Sequence, residues 1–234
     1  QSVAWREPLV LQSDERRRSI EEQSAEAGVP VRLVTRLQAA SVEVPVADPT
    51  FRRPEWMRVK ADLGAEYRGL KRLVRELDLH TVCESAGCPN IYECWADGTA
   101  TFMVLGERCT RACGFCLIDT RLPSAPEADE PERVASAVVR MGLKHAVLTM
   151  VARDDLDDGG AAHVAATVNA IRSASPETRT EVLISDLRGD LDSLDLILNE
   201  NPDVVNHNIE TVARLQRAVR PSAGYARSLA LLAR

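Results

Sequence analysis

The chain of 234 residues contains six cysteines, all between positions 83 and 116. They fall into two triplets with different spacing. Cys83, Cys88 and Cys94 read C-x4-C-x5-C, and Cys109, Cys113 and Cys116 read C-x3-C-x2-C. Three thiolates per group is one fewer than a closed four-ligand metal site needs. A metal centre that lacks one protein ligand keeps a coordination position open, and an open position is where chemistry happens. The competing use of six cysteines is three disulfides, which belong to oxidising compartments. Residues 1–30 are charged throughout and have no apolar core of a signal peptide. Clustered cysteines in that setting point to metal binding or redox chemistry.

The pattern along the chain shows how these thiols are positioned. Residues 1–50 read as a leader or appendage that carries no chemistry and is poorly ordered. Within it, Asp14 to Ala27 has a charged helical pattern ending at Gly28, and Val42 to Pro54 is punctuated by proline and reads as extended. Residues 51–99 form a region around the first triplet. There Leu63, Tyr67, Leu70, Leu73, Val74 and Leu77 recur at helical spacing. Lys71, Arg72 and Arg75 lie on the opposite, basic face. From 100 to 234 strands and helices alternate. Strands are expected at Thr101–Leu105, His145–Val151, Glu181–Ser185 and Asp203–His207. Helices are expected at Pro131–Met141, Gly160–Ala174, Leu191–Asn199 and Glu210–Val219. Four successive βα units predict an α/β fold with a parallel sheet, open or part of a barrel. Ligands in such folds bind at the C-terminal ends of the strands. The second triplet follows the first strand, Arg153 to Asp158 follow the second, and His207 and Asn208 follow the fourth.

Composition narrows the function classes. A net charge of −6 argues against bulk nucleic-acid binding. No apolar run is long enough for a membrane span. With no export signal and a Glu-rich start, a cytoplasmic location is expected.

Three thiolates within an eight-residue loop can wrap one small inorganic object. A zinc knuckle would show paired C-x2-C elements and a fourth ligand. A 4Fe–4S cluster held by three cysteines keeps one iron exchangeable. C-x3-C-x2-C with Phe115 before its last cysteine resembles the signature of the radical S-adenosylmethionine (radical SAM) superfamily. Within it, the upstream C-x4-C-x5-C resembles lipoyl synthases. So do His80-Thr81-Val82-Cys83-Glu84, Ala86-Gly87-Cys88-Pro89-Asn90, Glu93-Cys94-Trp95 and Ala100-Thr101-Phe102. Further matching segments are Ile118-Asp119-Thr120, Arg153-Asp154-Asp155-Leu156, Asp158-Gly159-Gly160-Ala161, His207-Asn208 with Glu210-Thr211-Val212, and Arg220-Pro221 with Tyr225, Arg227, Ser228 and Leu229. The resemblance covers roughly residues 55–234.

That resemblance implies a partial parallel (β/α) barrel of the radical SAM type, with about four of six units present, behind a cysteine-bearing N-terminal extension. It implies a sulfurtransferase with two 4Fe–4S clusters and S-adenosyl-L-methionine. Cys109, Cys113 and Cys116 would hold the cluster that generates a 5′-deoxyadenosyl radical. Cys83, Cys88 and Cys94 would hold an auxiliary cluster that donates sulfur to C6 and C8 of an octanoyl chain. Gly159, Gly160, Ala161, Arg153, Asp155, Asn208 and Glu210 would contact S-adenosylmethionine. Implied partners are octanoylated carrier domains, on 2-oxoacid dehydrogenase acyltransferase subunits or the glycine cleavage H protein, and a reductant such as ferredoxin or flavodoxin. Lys71, Arg72 and Arg75 are expected to help dock an acidic carrier. The family's Arg-Ser-Ser-Tyr motif, whose serine completes the auxiliary site, does not occur here. An incomplete chain is therefore expected, inactive by itself. The alternatives are another radical SAM enzyme with an auxiliary cluster and a non-catalytic iron–sulfur protein.

Overall fold

The computed structural model describes residues 18–22, 25, 31–42, 54, 64–85 and 88–234. Residues 18–22 are helical. Ala25 is helical too; the rest of the helix expected over Asp14–Ala27, and the extended stretch Val42–Pro54 apart from its two ends, lie outside the described residues. The first long helix is α1, Val31–Ala39. Next comes α2, Ala65–Glu76, the expected amphipathic helix. It buries Leu73 and Val74 and leaves Arg68, Arg72 and Arg75 in solvent. Two residues, His80–Thr81, form strand β1. Thr81 Oγ1 then accepts the Glu84 backbone N–H at 3.3 Å and so starts the short helix α3, Val82–Ser85. Helix α4 spans Ile91–Ala96. Cys83 and Cys94 therefore stand on short helices, with Cys88 in the link between them.

Strand β2, Thr99–Val104, opens the alternating part. It is followed by α5 (Glu130–Met141), β3 (His145–Met150), α6 (Ala161–Ala174), β4 (Arg179–Leu183), α7 (Leu191–Leu198) and β5 (Val204–Asn206). Short α8, Gln216–Val219, and α9, Tyr225–Ala233, close the described chain. Helix α5 has Pro at its start and Gly142 in the left-handed region at its end, the arrangement that proline's missing N–H and glycine's missing Cβ favour.

The sheet runs β1-β2-β3-β4-β5. Strands β2 to β5 are parallel in sequence order, and β1 pairs antiparallel with β2, His80 opposite Met103 and Thr81 opposite Phe102. Consecutive parallel strands without an order reversal are the topology of a (β/α) barrel rather than of a doubly wound sheet. Helix α5 packs on α6 and α6 on α7. Between helices and sheet lie Phe102, Val104, Val134, Val138, Leu148, Ile171, Val182 and Ile197, each at most 1% exposed. The fold is the expected α/β one.

One expected element differs. Glu210–Val219 is not a continuous helix; only a 3-10 turn at Ala213–Leu215 and α8 form. Arg220 donates to the carbonyls of Asn208 (2.6 Å) and Ile209 (3.1 Å), and Glu210 takes φ +66. Those constraints hold 208–212 away from helical geometry.

Candidate functional site

Strand β2 delivers the chain to the second triplet through a shaped exit. Leu105 (φ +70) and Gly106 (φ +84) turn it out of the sheet. The Glu130 carboxylate accepts the Leu105 N–H at 2.9 Å, and Arg153 donates to the Leu105 carbonyl at 3.1 Å. The base of the cysteine loop is then closed by an isolated parallel bridge between Arg108 and Asp119 and by Cys109 N–H on the Asp119 carbonyl at 2.8 Å. Thr110 N–H bonds the Ala152 carbonyl at the end of β3, and Gly114 N–H bonds the Val219 carbonyl of α8. A loop with no regular pairing of its own thus finds partners on three neighbouring segments.

Arg111 ties the loop down from within. It is 6% exposed, forms a two-pronged pair with Asp154 at 2.7 Å and reaches Asp186 at 2.6 Å. Asp186 is fully buried and also faces Arg227 at 3.2 Å. Burial pushes the Asp186 carboxyl upward, but the Arg111 hydrogen bond and charge outweigh it and hold the group below the usual carboxylate range. Two arginines and two aspartates balance, which is the condition for keeping charges out of water. Sequence reasoning missed Arg111 and Asp186, and it quoted Arg220 as part of a matching segment without giving it a site role. The available signals were an arginine inside a thiolate loop and a carboxylate at a strand's C-terminal end.

Cys109, Cys113 and Cys116 line a cavity of about 410 Å³ at the C-terminal end of the sheet. Its wall includes Met103, Met150, Val151, Leu183 and Ile184 from the strands and their ends, and Phe115, Leu117 and Ile118 from the loop. Val82 and Ser85, which flank Cys83 on α3, also reach it. Polar wall residues are Arg111, Thr149, Ser185, His207, Asn208, Glu210 and Arg220. His207 is buried with Nδ1 2.8 Å from the Ile184 carbonyl and Nε2 2.8 Å from Ser228 Oγ. A carbonyl only accepts, so Nδ1 carries the proton and Nε2 accepts from the serine. Burial pushes the His207 pKa down, which keeps the ring neutral.

The thiols fit a cluster. Among the described residues, no three His, Cys, Asp or Glu side chains close on a single ion-sized point. Instead Cys113 stands within electrostatic range of Cys109 and Cys116, and Cys94 within range of Cys83 and Cys88. Cubane clusters take cysteine thiolates as ligands, so two neighbouring sets of three thiols are a donor set that suits them. Burial first, then the neighbouring thiols, pushes Cys94 and Cys113 upward. Cys109 is also raised, chiefly by burial, against the pull of the Arg111 and Ala152 backbone N–H groups.

The other expected ligand contacts divide. Asn208 and Glu210 are on the cavity wall. Gly159, Gly160, Ala161, Arg153 and Asp155 are not part of that wall. Arg153 is 2% exposed, and its guanidinium is engaged by Asp155 (2.8 and 2.9 Å), Leu105 O and Ser124 O. The glycines answer to packing. A Cβ on Gly160 would stand 2.4 Å from Leu105 Cδ1, and one on Gly159 would stand 3.3 Å from Leu187 Cδ2. Asp158 caps the start of α6, accepting from the Gly160 N–H at 2.9 Å and the Ala162 N–H at 2.7 Å.

Comparison with known proteins agrees with this geometry. The radical SAM superfamily model matches residues 103–234, and the model for the N-terminal domain of lipoyl synthase of the radical SAM family matches residues 38–88. The lipoyl synthase of Bacillus subtilis (strain 168) is 56% identical over 188 residues, 80% of this chain and 63% of that protein. The lipoyl synthase of Bacillus cereus (strain G9842) is 55% identical over 184 residues, 78% of this chain and 62% of that protein. The chain thus spans a little under two thirds of the length of these relatives. A three-thiol loop at the mouth of a parallel sheet, and a superfamily match across that whole region, lead to one conclusion: the chain belongs to the radical SAM superfamily.

Proposed function

We propose that this protein acts as a lipoyl synthase: it inserts two sulfur atoms, at C6 and C8, into an octanoyl group carried on a protein lysine. One observation carries the reading. A single, mostly apolar cavity is walled both by the three cysteines of the second triplet and by Val82 and Ser85, which flank the first. A saturated acyl chain suits such a wall, because apolar surface gains by leaving water. An unactivated C–H bond resists acid and base at neutral pH, so a cofactor supplies that step. When bound, the second-triplet cluster and S-adenosylmethionine supply radical hydrogen abstraction, and the first-triplet cluster supplies sulfur.

The residues' task is placement. Arg111 and its aspartates fix the radical-side loop, and the Thr81 cap fixes the helix under Cys83. Asn208, Glu210 and Arg220 offer polar groups for S-adenosylmethionine at the cavity edge; in this reading Gly159, Gly160, Ala161, Arg153 and Asp155 shape the strand ends behind it. The octanoyl carrier is a lipoyl domain of a 2-oxoacid dehydrogenase acyltransferase subunit or the glycine cleavage H protein. A ferredoxin or flavodoxin is the reductant, and the cytoplasm the location.

The test uses anaerobically reconstituted full-length protein with an octanoylated lipoyl-domain peptide. The reading expects about eight irons per chain, two 4Fe–4S clusters, and a peptide that gains sulfur. Cys109→Ala with Cys113→Ala abolishes 5′-deoxyadenosine, whereas Cys83→Ala with Cys88→Ala retains it and abolishes sulfur gain. Wild-type protein that makes 5′-deoxyadenosine but never sulfurates the peptide overturns the substrate.

A further inference from the structure

Helix α1 lies in the segment to which the sequence gives no chemistry, yet it sits on the outer face of the Cys109–Cys116 loop. Val34 is fully buried, and α1 packs against α8. Arg36 donates from its guanidinium to the Ala112 carbonyl, between Cys109 and Cys113. At Gly114, between Cys113 and Cys116, α1 lies so close that a side chain would fit only tightly. A Cβ there would stand 3.0 Å from Leu33 Cδ1, 3.4 Å from Leu33 Cα and 3.5 Å from the Val219 oxygen. The loop is thus held between α1 outside and the cavity inside.

We infer that α1 is a clamp: Arg36 and Leu33 are positioning residues that hold the second-triplet loop around its cluster and slow the cluster's loss. The inference rests on the reading that Cys109, Cys113 and Cys116 bind a cluster, but not on the identity of the substrate. The physical basis is the loop's lack of regular pairing. Cys109, Thr110 and Gly114 donate their backbone N–H groups to Asp119, Ala152 and Val219, all within the barrel part of the chain. The bond to Ala112 comes from α1. Releasing it removes the restraint that α1 places on the segment joining two ligands, leaving Thr110 and Arg111 to hold it from the barrel side. A cluster held there by three thiolates would lose iron more readily where the backbone between two of them is freer to move.

The experiment measures iron release to a chelator, with no substrate present. Full-length protein is prepared in two backgrounds: Cys83, Cys88 and Cys94 all→Ala, leaving the radical-side cluster, and Cys109, Cys113 and Cys116 all→Ala, leaving the auxiliary one. Arg36→Ala is expected to speed iron release about tenfold in the first background, the effect of losing one charged hydrogen bond. It leaves the second background unchanged. Arg36→Lys, which can still donate to a carbonyl, restores most of the wild-type rate. Leu33→Ala gives a second, independent acceleration confined to the first background. Equal acceleration in both backgrounds would mean general loosening and would sink the clamp, as would no acceleration by either variant. Failure of the first background to load about four irons overturns the cluster reading and the clamp with it.

Discussion

Asp186 shows how much of this site depends on one side chain. It is fully buried, and its two oxygens face Arg111 and Arg227. Removing one partner of such a pair leaves a charge stranded, so Asp186→Ala should cost about 3–5 kcal/mol, read as a lower urea midpoint of the cluster-free protein. Its carboxyl is held low in the fold, and so is that of Glu130, where burial is outweighed by the His163 and Leu105 hydrogen bonds. A carboxyl depressed on folding stabilises above its unfolded value. Stability should therefore hold above about pH 4 and fall as acid takes the pH through the folded values. Asp186→Asn should flatten that acid limb; an unchanged limb would remove Asp186 as its source. At this scale the sequence was half legible. Thiol spacing needs no partner to be recognised. Arg111 means something only through Asp154 and Asp186, which are remote in sequence.

At the scale of elements, the turn that feeds each helix controls the site. Gly160 has φ +92 and sits where a Cβ would collide with Leu105, the residue that starts the cysteine loop. Gly142 has φ +62 but open space around it. Gly142→Ala should therefore cost only the left-handed backbone penalty, about 1–2 kcal/mol. Gly160→Ala adds overpacking, typically a further 1–3 kcal/mol. Thermal unfolding of the two variants checks the order; equal shifts would mean that Leu105 simply gives way. Helices α2, α5, α6 and α7 and strands β2 to β5 were readable because periodicity and Pro or Gly stops agree, whereas α1 lies in a stretch that the sequence reading took for a leader. Strand β1 was not, since two residues carry no period, and the Glu210–Val219 pattern was overridden by Arg220 holding the carbonyls of Asn208 and Ile209.

For the whole molecule, the basic face of α2 divides. Lys71 pairs with Glu84 at 3.1 Å, beside Cys83, while Arg72 and Arg75 are exposed. Arg72→Glu with Arg75→Glu should weaken binding of an acidic octanoyl carrier, increasingly so at low salt. Lys71→Glu should instead loosen iron at the first triplet, because it turns an ion pair at α3 into a repulsion. Titration of carrier binding at two salt concentrations, alongside iron content, separates the two effects; carrier binding untouched by the double reversal would retire α2 as a docking face. Strand β1 has a wider consequence. It leads into the helix of Cys83, and its only neighbour among the described residues, β2, leads into the loop of Cys109. Slipping that pair by one residue would shift it by about 3.3 Å and turn each side chain to the other face. The gap between the two thiol groups is therefore counted in whole residues, like teeth on a ratchet, and point substitutions along either loop cannot tune it smoothly.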